Sequence, residues 1–180
     1  MNTDIKTPHS DAAPHVGIRF AKAGRPLSDE TLRKIDVEIA RYPVKQSAVL
    51  PALWLAQQEQ GFCSLEAQEQ IAAKIGVAPA FVAGVVSFYT MYHTEPVGRH
   101  VIDVCTTVSC WLRGADDLVA HLEKRLGIRV GGTTPDRRFT LRTVECLGSC
   151  GTAPMCQIGD DYHEDLSSFE KIDKVLEGLK

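Results

Sequence analysis

Apolar positions recur at helical spacing through the first half of the chain and alternate in shorter runs through the second. Ser28 stands where a helix N-cap belongs, and Asp29 and Glu30 follow it into the first turn, favourably placed against the helix dipole. Leu32, Ile35 and Ile39 then predict an amphipathic helix that Tyr42-Pro43 ends. A second helix is predicted over Ser47 to Gln60, burying Leu50, Leu53 and Trp54, with Pro51 tolerated in its first turn and Gly61 as its stop. A third runs from about Ser64 to Ile75, closed by Gly76, and a fourth begins at Pro79. Short helices joined by tight turns make residues 28–95 a small bundle. Residues 1–27 carry Pro8, Pro14, Gly17, Gly24 and Pro26 without sustained periodicity and read as a flexible tail.

Residues 96–180 follow another pattern. His100 to Val104 is a short β-type run, and Gly114 to Leu126 is helical, with Leu118, Leu122 and Leu126 stacked at i, i+4. Ile128-Arg129-Val130 and the alternating Phe139-Thr140-Leu141-Arg142-Thr143 read as strands. Met155 to Ile158 and Tyr162 to Glu164 flank Gly159-Asp160-Asp161, a hairpin signal. Ser167-Ser168-Phe169-Glu170 has the form of a capping box, opening a helix with Ile172, Val175, Leu176 and Leu179 on one face. The expected class is α+β: a helical bundle, then a small sheet covered by two helices.

Composition narrows the function. With 180 residues, 44% of them hydrophobic, the chain is long enough for a globular core and is not disordered throughout. A net charge of −3 and the lack of any Lys/Arg block argue against a nucleic-acid partner. No apolar run approaches the roughly 20 residues of a membrane-spanning helix, so no direct membrane insertion is expected. The first 27 residues have neither the form of a secretion signal nor that of a transit peptide, which makes a cytoplasmic location the default.

Six cysteines change the picture. Without a secretion signal they are read first as metal or redox ligands. Four fall in pairs: Cys105 and Cys110 in CTTVSC, Cys146 and Cys150 in CLGSC, with 35 residues between the pairs. Each pair follows a predicted strand, in a loop of Thr, Ser and Gly. There, backbone N–H groups and the hydroxyls of Thr106, Thr107, Ser109 and Ser149 can donate to sulfur. Four thiolates suit an iron–sulfur cluster or a structural zinc. Two separate pairs favour a 2Fe-2S cluster, each iron taking one pair; a zinc-stabilised interaction module and incidental cysteines stay open on spacing alone. No Cys-x-x-Cys pair exists for thioredoxin-type dithiol chemistry.

The segments CTTVSCWLRGAD and TVECLGSCGTAPMCQIGDDYHEDL resemble the thioredoxin-like 2Fe-2S subunit family of bacterial NADH–quinone oxidoreductase, respiratory complex I. SAVLPALWLAQQEQGF and GVVSFYTMYHTEPVGRHVIDVC are similar to that family's helical part, so the likeness runs from about residue 28 to the end. The resemblance implies a thioredoxin-like second domain with one 2Fe-2S cluster on Cys105, Cys110, Cys146 and Cys150, the first two on one iron and the last two on the other. It implies an electron-transfer role beside a flavoprotein subunit that carries FMN and oxidises NADH, with further subunits of the peripheral arm as partners. On this reading the chain works as part of an oxidoreductase at the cytoplasmic side of the inner membrane and has no catalytic residue of its own. A diaphorase subunit of a soluble NAD-linked hydrogenase or formate dehydrogenase uses the same module. Thr152, Cys156 and His163 depart from the family pattern, none at a ligand position.

Single residues have plainer readings. Cys63 and Cys156 are expected to be small buried hydrophobes. Phe88, Tyr89 and Tyr92 read as packing residues rather than a flavin contact. Trp111 reads as a shield for the cluster or a cap on the small core, and Arg113 as a positive charge near the cluster or a solvated helix-start residue. Ala153-Pro154 lies where a cis proline is conceivable. An oxidised cluster with four thiolates carries about −2, which makes the loaded protein more acidic and favours a basic docking surface on its partner.

Overall fold

The structure, a computed structural model, describes residues 24–179. They divide into two compact units with the boundary between Glu95 and Pro96. Residues 1–23 of the expected tail lie outside the described residues. Its last part is no tail: Leu27 is buried in the first unit's core, and its N–H donates to Gln70 Oε1 at 2.8 Å.

Four α-helices build the first unit: α1 Asp29–Ala40, α2 Val49–Gln60, α3 Leu65–Ile75 and α4 Pro79–Phe88, with a 3-10 turn Lys45–Ala48 before α2. The serines at the starts of α1 and α3 act as caps, Ser28 Oγ accepting from Thr31 N–H and Ser64 Oγ from Ala67 N–H, each at 3.2 Å. Gly61 and Gly76 end α2 and α3 in the left-handed region, which only glycine occupies without a Cβ clash. The core is formed by Ile35, Leu53, Ile71 and Val82 with small residues such as Ala52 and Ala56 between them. The second helix departs from expectation. Its buried face is Val49, Ala52, Leu53, Ala56 and Gln57, while Leu50 and Trp54 are 36% and 41% exposed. A helix this apolar all round offers more than one face for burial, so the pattern does not say which one faces inward. Of the aromatic run, Tyr92 is buried with its hydroxyl on Leu50 O at 2.9 Å, whereas Phe88 and Tyr89 are exposed.

A four-stranded sheet of order β2-β1-β3-β4 organises the second unit. Its strands are β1 His100–Cys105, β2 Phe139–Val144, β3 Cys156–Ile158 and β4 Asp161–His163. β1 and β2 run parallel, in register from His100↔Phe139 to Cys105↔Val144; β3 is antiparallel to β1 and forms a hairpin with β4. Gly159 begins the two-residue hairpin turn at positive φ, a position that calls for glycine. Between β1 and β2 the chain forms α5 Val108–Leu112 and α6 Ala115–Leu126; α7 Phe169–Gly178 follows the hairpin. Ile102, Val104, Leu141, Cys156 and Ile158 from the sheet pack with Leu118 and Leu122 of α6 and Ile172 and Leu176 of α7 in one core. His121 joins the two helices, 2.9 Å from Asp173 and stacked on Phe169. Across β1 and β2, Asp103 and Arg142 form a two-pronged ion pair at 2.7 and 2.9 Å.

Two local expectations fail here. Ile128 to Val130 is not a strand, because the Glu123 carboxylate takes the Val130 N–H at 2.9 Å and Arg129 at 3.0 Å, holding the segment against the end of α6. Gly131 and Gly132, not these residues, exchange backbone hydrogen bonds with Leu141. The capping box does not form either: Ser168 precedes α7 without a side-chain cap, and Ser167 Oγ donates instead to Asp165 at 3.4 Å. Entry into β1 is fixed by Gly98, whose N–H donates to Thr140 Oγ1 at 2.7 Å and whose Cα lies against the Phe139 backbone.

Candidate metal centre

Parallel strands aim their C-terminal ends the same way, and β1 and β2 end side by side at Cys105 and Val144. The two cysteine segments therefore leave the sheet at one end. Cys105 is the last residue of β1. Cys110 is not in a loop, as the sequence suggested, but within the five-residue helix α5. Cys146 lies two residues beyond β2, and Cys150 opens a 3-10 turn, Cys150–Thr152.

The pairs differ in environment. Cys105 and Cys110 are buried with Ala115, Ala153 and Met155, and Leu147 packs against this small cluster; Cys146 and Cys150 are exposed. Sulfurs 146 and 150 stand 3.7 Å apart, and the Gly148 N–H points at the first from 3.4 Å. Cys105 and Cys110 share one buried cluster, and Leu147, which stands between Cys146 and Cys150, packs against it. Both cysteine segments singled out from the sequence thus lie at the same end of the sheet.

Backbone donors converge on the buried pair. Burial works against ionisation of Cys105. The N–H groups of Leu147 and Thr107 and the Cys110 thiol outweigh it and hold this thiol below its usual range, while the Thr107 hydroxyl donates to the Glu145 carboxylate at 3.3 Å. Cys110 goes the other way, pushed up to about 11 by burial and by its bond to Cys105, against one N–H from Met155. Such donors stabilise sulfur that carries negative charge. Of the other hydroxyls, Thr106 bonds Val144 O at 3.4 Å and Ser149 bonds Thr152 at 2.9 Å.

These residues fit a two-iron group. Among the described residues no three His, Cys, Asp or Glu side chains converge on one ion position; the four sulfurs fall in two pairs, one in contact at 3.7 Å and one sharing a buried cluster. A tetrahedral zinc requires four donors around a single point; two irons require one pair each. Cys63 and Cys156 lie elsewhere. Both are fully buried, and burial pushes each thiol up to about 12. Cys156 faces the core under α6 and α7, away from the paired sulfurs. Trp111 does not cap the small core: it is half exposed, with its indole N–H on Asp116 at 2.9 Å. Arg113 Nε donates to Ala153 O at 3.3 Å, tying the end of α5 to the chain beyond Cys150. The Ala153–Pro154 peptide is cis.

Sequence reasoning missed two members of this neighbourhood. Tyr162 donates to Leu147 O at 2.8 Å, and the Glu164 carboxylate accepts from Thr152 at 2.6 Å and from Ser149. Hairpin residues on a predicted surface carry no motif. The only signal was their alternation beside a strand that pairs with β1.

Residues 35–180 match the model of the thioredoxin-like 2Fe-2S ferredoxin family. In Rhizobium meliloti (strain 1021), the NADH-quinone oxidoreductase subunit designated E 2 is 47% identical over 151 residues, 83% of this chain and 89% of that one. The NADH-quinone oxidoreductase subunit designated E in Rickettsia conorii (strain ATCC VR-613 / Malish 7) is 41% identical over 164 residues, 89% of this chain and 93% of its own. Among solved structures, an NAD+-reducing NiFe-hydrogenase in the H2-reduced state aligns with a TM-score of 0.63 at 24% identity, over 73% of this chain and 22% of that one. The hydrogenase likeness speaks for the fold alone. No described helix is long and apolar enough to cross a membrane. By its cysteine pairs, its sheet and its relatives alike, the chain belongs to the thioredoxin-like 2Fe-2S ferredoxin family.

Proposed function

We propose that this chain is the electron-transfer subunit of an NADH:quinone oxidoreductase, exchanging single electrons between its 2Fe-2S cluster and the FMN of a partner flavoprotein. The observation that carries this is that two thiol pairs leave β1 and β2 at the same end of the sheet, one buried and one open to solvent. Cys105 and Cys110 would hold one iron, Cys146 and Cys150 the other. When bound, the cluster supplies a one-electron couple. The chain supplies thiolates, N–H donors from Leu147, Thr107, Met155 and Gly148, and a dry floor under the buried pair. It has no catalytic residue of its own; NADH and FMN belong to the partner, and further subunits complete a complex peripheral to the cytoplasmic face of the membrane.

Iron and acid-labile sulfide in the purified full chain test the cluster, with about two of each expected and a paramagnetic signal on reduction. A colourless protein holding one zinc would overturn the reading. A diaphorase role in a soluble hydrogenase is the second reading; the hydrogenase likeness concerns the fold and does not favour it, whereas the relatives at 41% and 47% identity are named for quinone reduction. Isolating the native complex separates the two. Copurification of quinone-reducing membrane subunits supports the first reading, and copurification of a nickel-containing subunit supports the second.

A further inference from the structure

Regular structure holds the buried pair, since Cys105 ends β1 and Cys110 sits in α5. The exposed pair lacks this support. Between Val144 and β3 the chain has only the three-residue turn Cys150–Thr152, and Gly148 adopts a left-handed φ of 88°. The segment is fastened instead by the hairpin beside it. Tyr162 donates to Leu147 O at 2.8 Å. The Glu164 carboxylate receives the hydroxyls of Thr152 and Ser149, which flank Cys150. Asp165 N–H closes on Thr152 O at 2.7 Å. Leu147 is the joint of this arrangement. Its carbonyl is held by Tyr162, the N–H of that same peptide, on Gly148, points at the Cys146 sulfur from 3.4 Å, and its side chain packs on the buried cluster.

We propose that Tyr162 and Glu164 are positioning residues for the cluster: the hairpin latches the Cys146–Cys150 turn and thereby holds the Leu147–Gly148 peptide with its N–H on the Cys146 sulfur. This rests on the cluster reading above. The two residues act with opposite sign on the reduction potential. An N–H bond to a ligand sulfur favours the reduced, more negative state, so loosening the Leu147–Gly148 peptide lowers the potential. A carboxylate next to Cys150 disfavours that state, so removing its charge raises the potential. Because Glu164 is exposed, its effect is screened by salt.

The experiment compares the full-length loaded chain with Tyr162→Phe and Glu164→Gln. Potentials are measured by EPR-monitored redox titration at low and high ionic strength, and cluster loss to an iron chelator is followed by absorbance. Tyr162→Phe is expected to shift the potential down at both salt levels and to speed cluster loss several-fold. Glu164→Gln is expected to shift it up at low salt, with most of the shift gone at high salt. An unchanged potential and unchanged chelation in Tyr162→Phe, or shifts of the same sign in both variants, overturns the latch while leaving the cluster reading intact. A wild-type chain without iron and sulfide removes both.

Discussion

Cys105 and Cys110 are 3% and 2% exposed, whereas Cys146 and Cys150 face solvent. The difference lies in what carries each pair. The first is built into the end of a central strand and a short helix, so the backbone that makes the core also places these sulfurs. The second rides on a turn held by side-chain hydrogen bonds from β4 and the residue after it. One half of the site is thus built into the backbone of the sheet, and the other is fastened by side-chain hydrogen bonds and one backbone bond from Asp165. On the proposed reading, that asymmetry suits a centre that holds its cluster firmly and presents one side to an electron partner.

The comparison is broken most severely by removing a thiol. Cys146→Ser and Cys105→Ser are each expected to lose nearly all iron and sulfide, read by chemical assay. They should differ without metal: Cys105→Ser sets a hydroxyl into an apolar cluster and costs about 1–3 kcal/mol of stability, while Cys146→Ser stays within about 0.5 kcal/mol. Equal apo stabilities in denaturant titrations would remove the distinction between the pairs. Cys63→Ser, by contrast, should keep its full iron content.

A smaller effect concerns reactivity. In the metal-free chain the exposed thiols should alkylate at least about tenfold faster than Cys110 near neutral pH, since burial both covers Cys110 and pushes its thiol up to about 11. Peptide mapping after brief iodoacetamide treatment reads this. The smallest effect is on alkaline stability. Burial raises the Cys63 and Cys156 thiols from the ordinary 9 to about 12. Above pH 9 the unfolded chain gives up these protons and the folded chain keeps them. Stability is therefore full below pH 9 and falls towards pH 12, by about 1.4 kcal/mol per pH unit for each thiol at most. Cys63→Ala should flatten that decline relative to wild type in denaturant titrations at pH 9 to 11.

Much of this was legible before any coordinates. Strand ends and thiol spacing carried the site, because a cysteine directly after an alternating run has only one end of a sheet to occupy. Ser28, Ser64, Gly61 and Gly76 marked helix limits through local chemistry that tertiary contacts do not alter. What failed was decided at longer range. Leu50 and Trp54 lie on a helix with more apolar surface than its neighbours cover. Ile128 to Val130 has strand propensity, yet a carboxylate on α6 claims its backbone. The helix Val108–Leu112 is too short to show a period, so Cys110 seemed to lie in a loop. Tyr162 and Glu164 gave no warning because their role exists only once the hairpin lies beside the cysteine turn.

Gly98 has no side chain to bury, yet a Cβ there would stand 2.7 Å from the Phe139 carbonyl carbon and 2.9 Å from its nitrogen. Backbone cannot yield as a flexible side chain can. Even alanine would wedge the incoming chain away from the strand it must join. A saturation scan should therefore find this inconspicuous connector position as unforgiving as the centre of the hydrophobic interior.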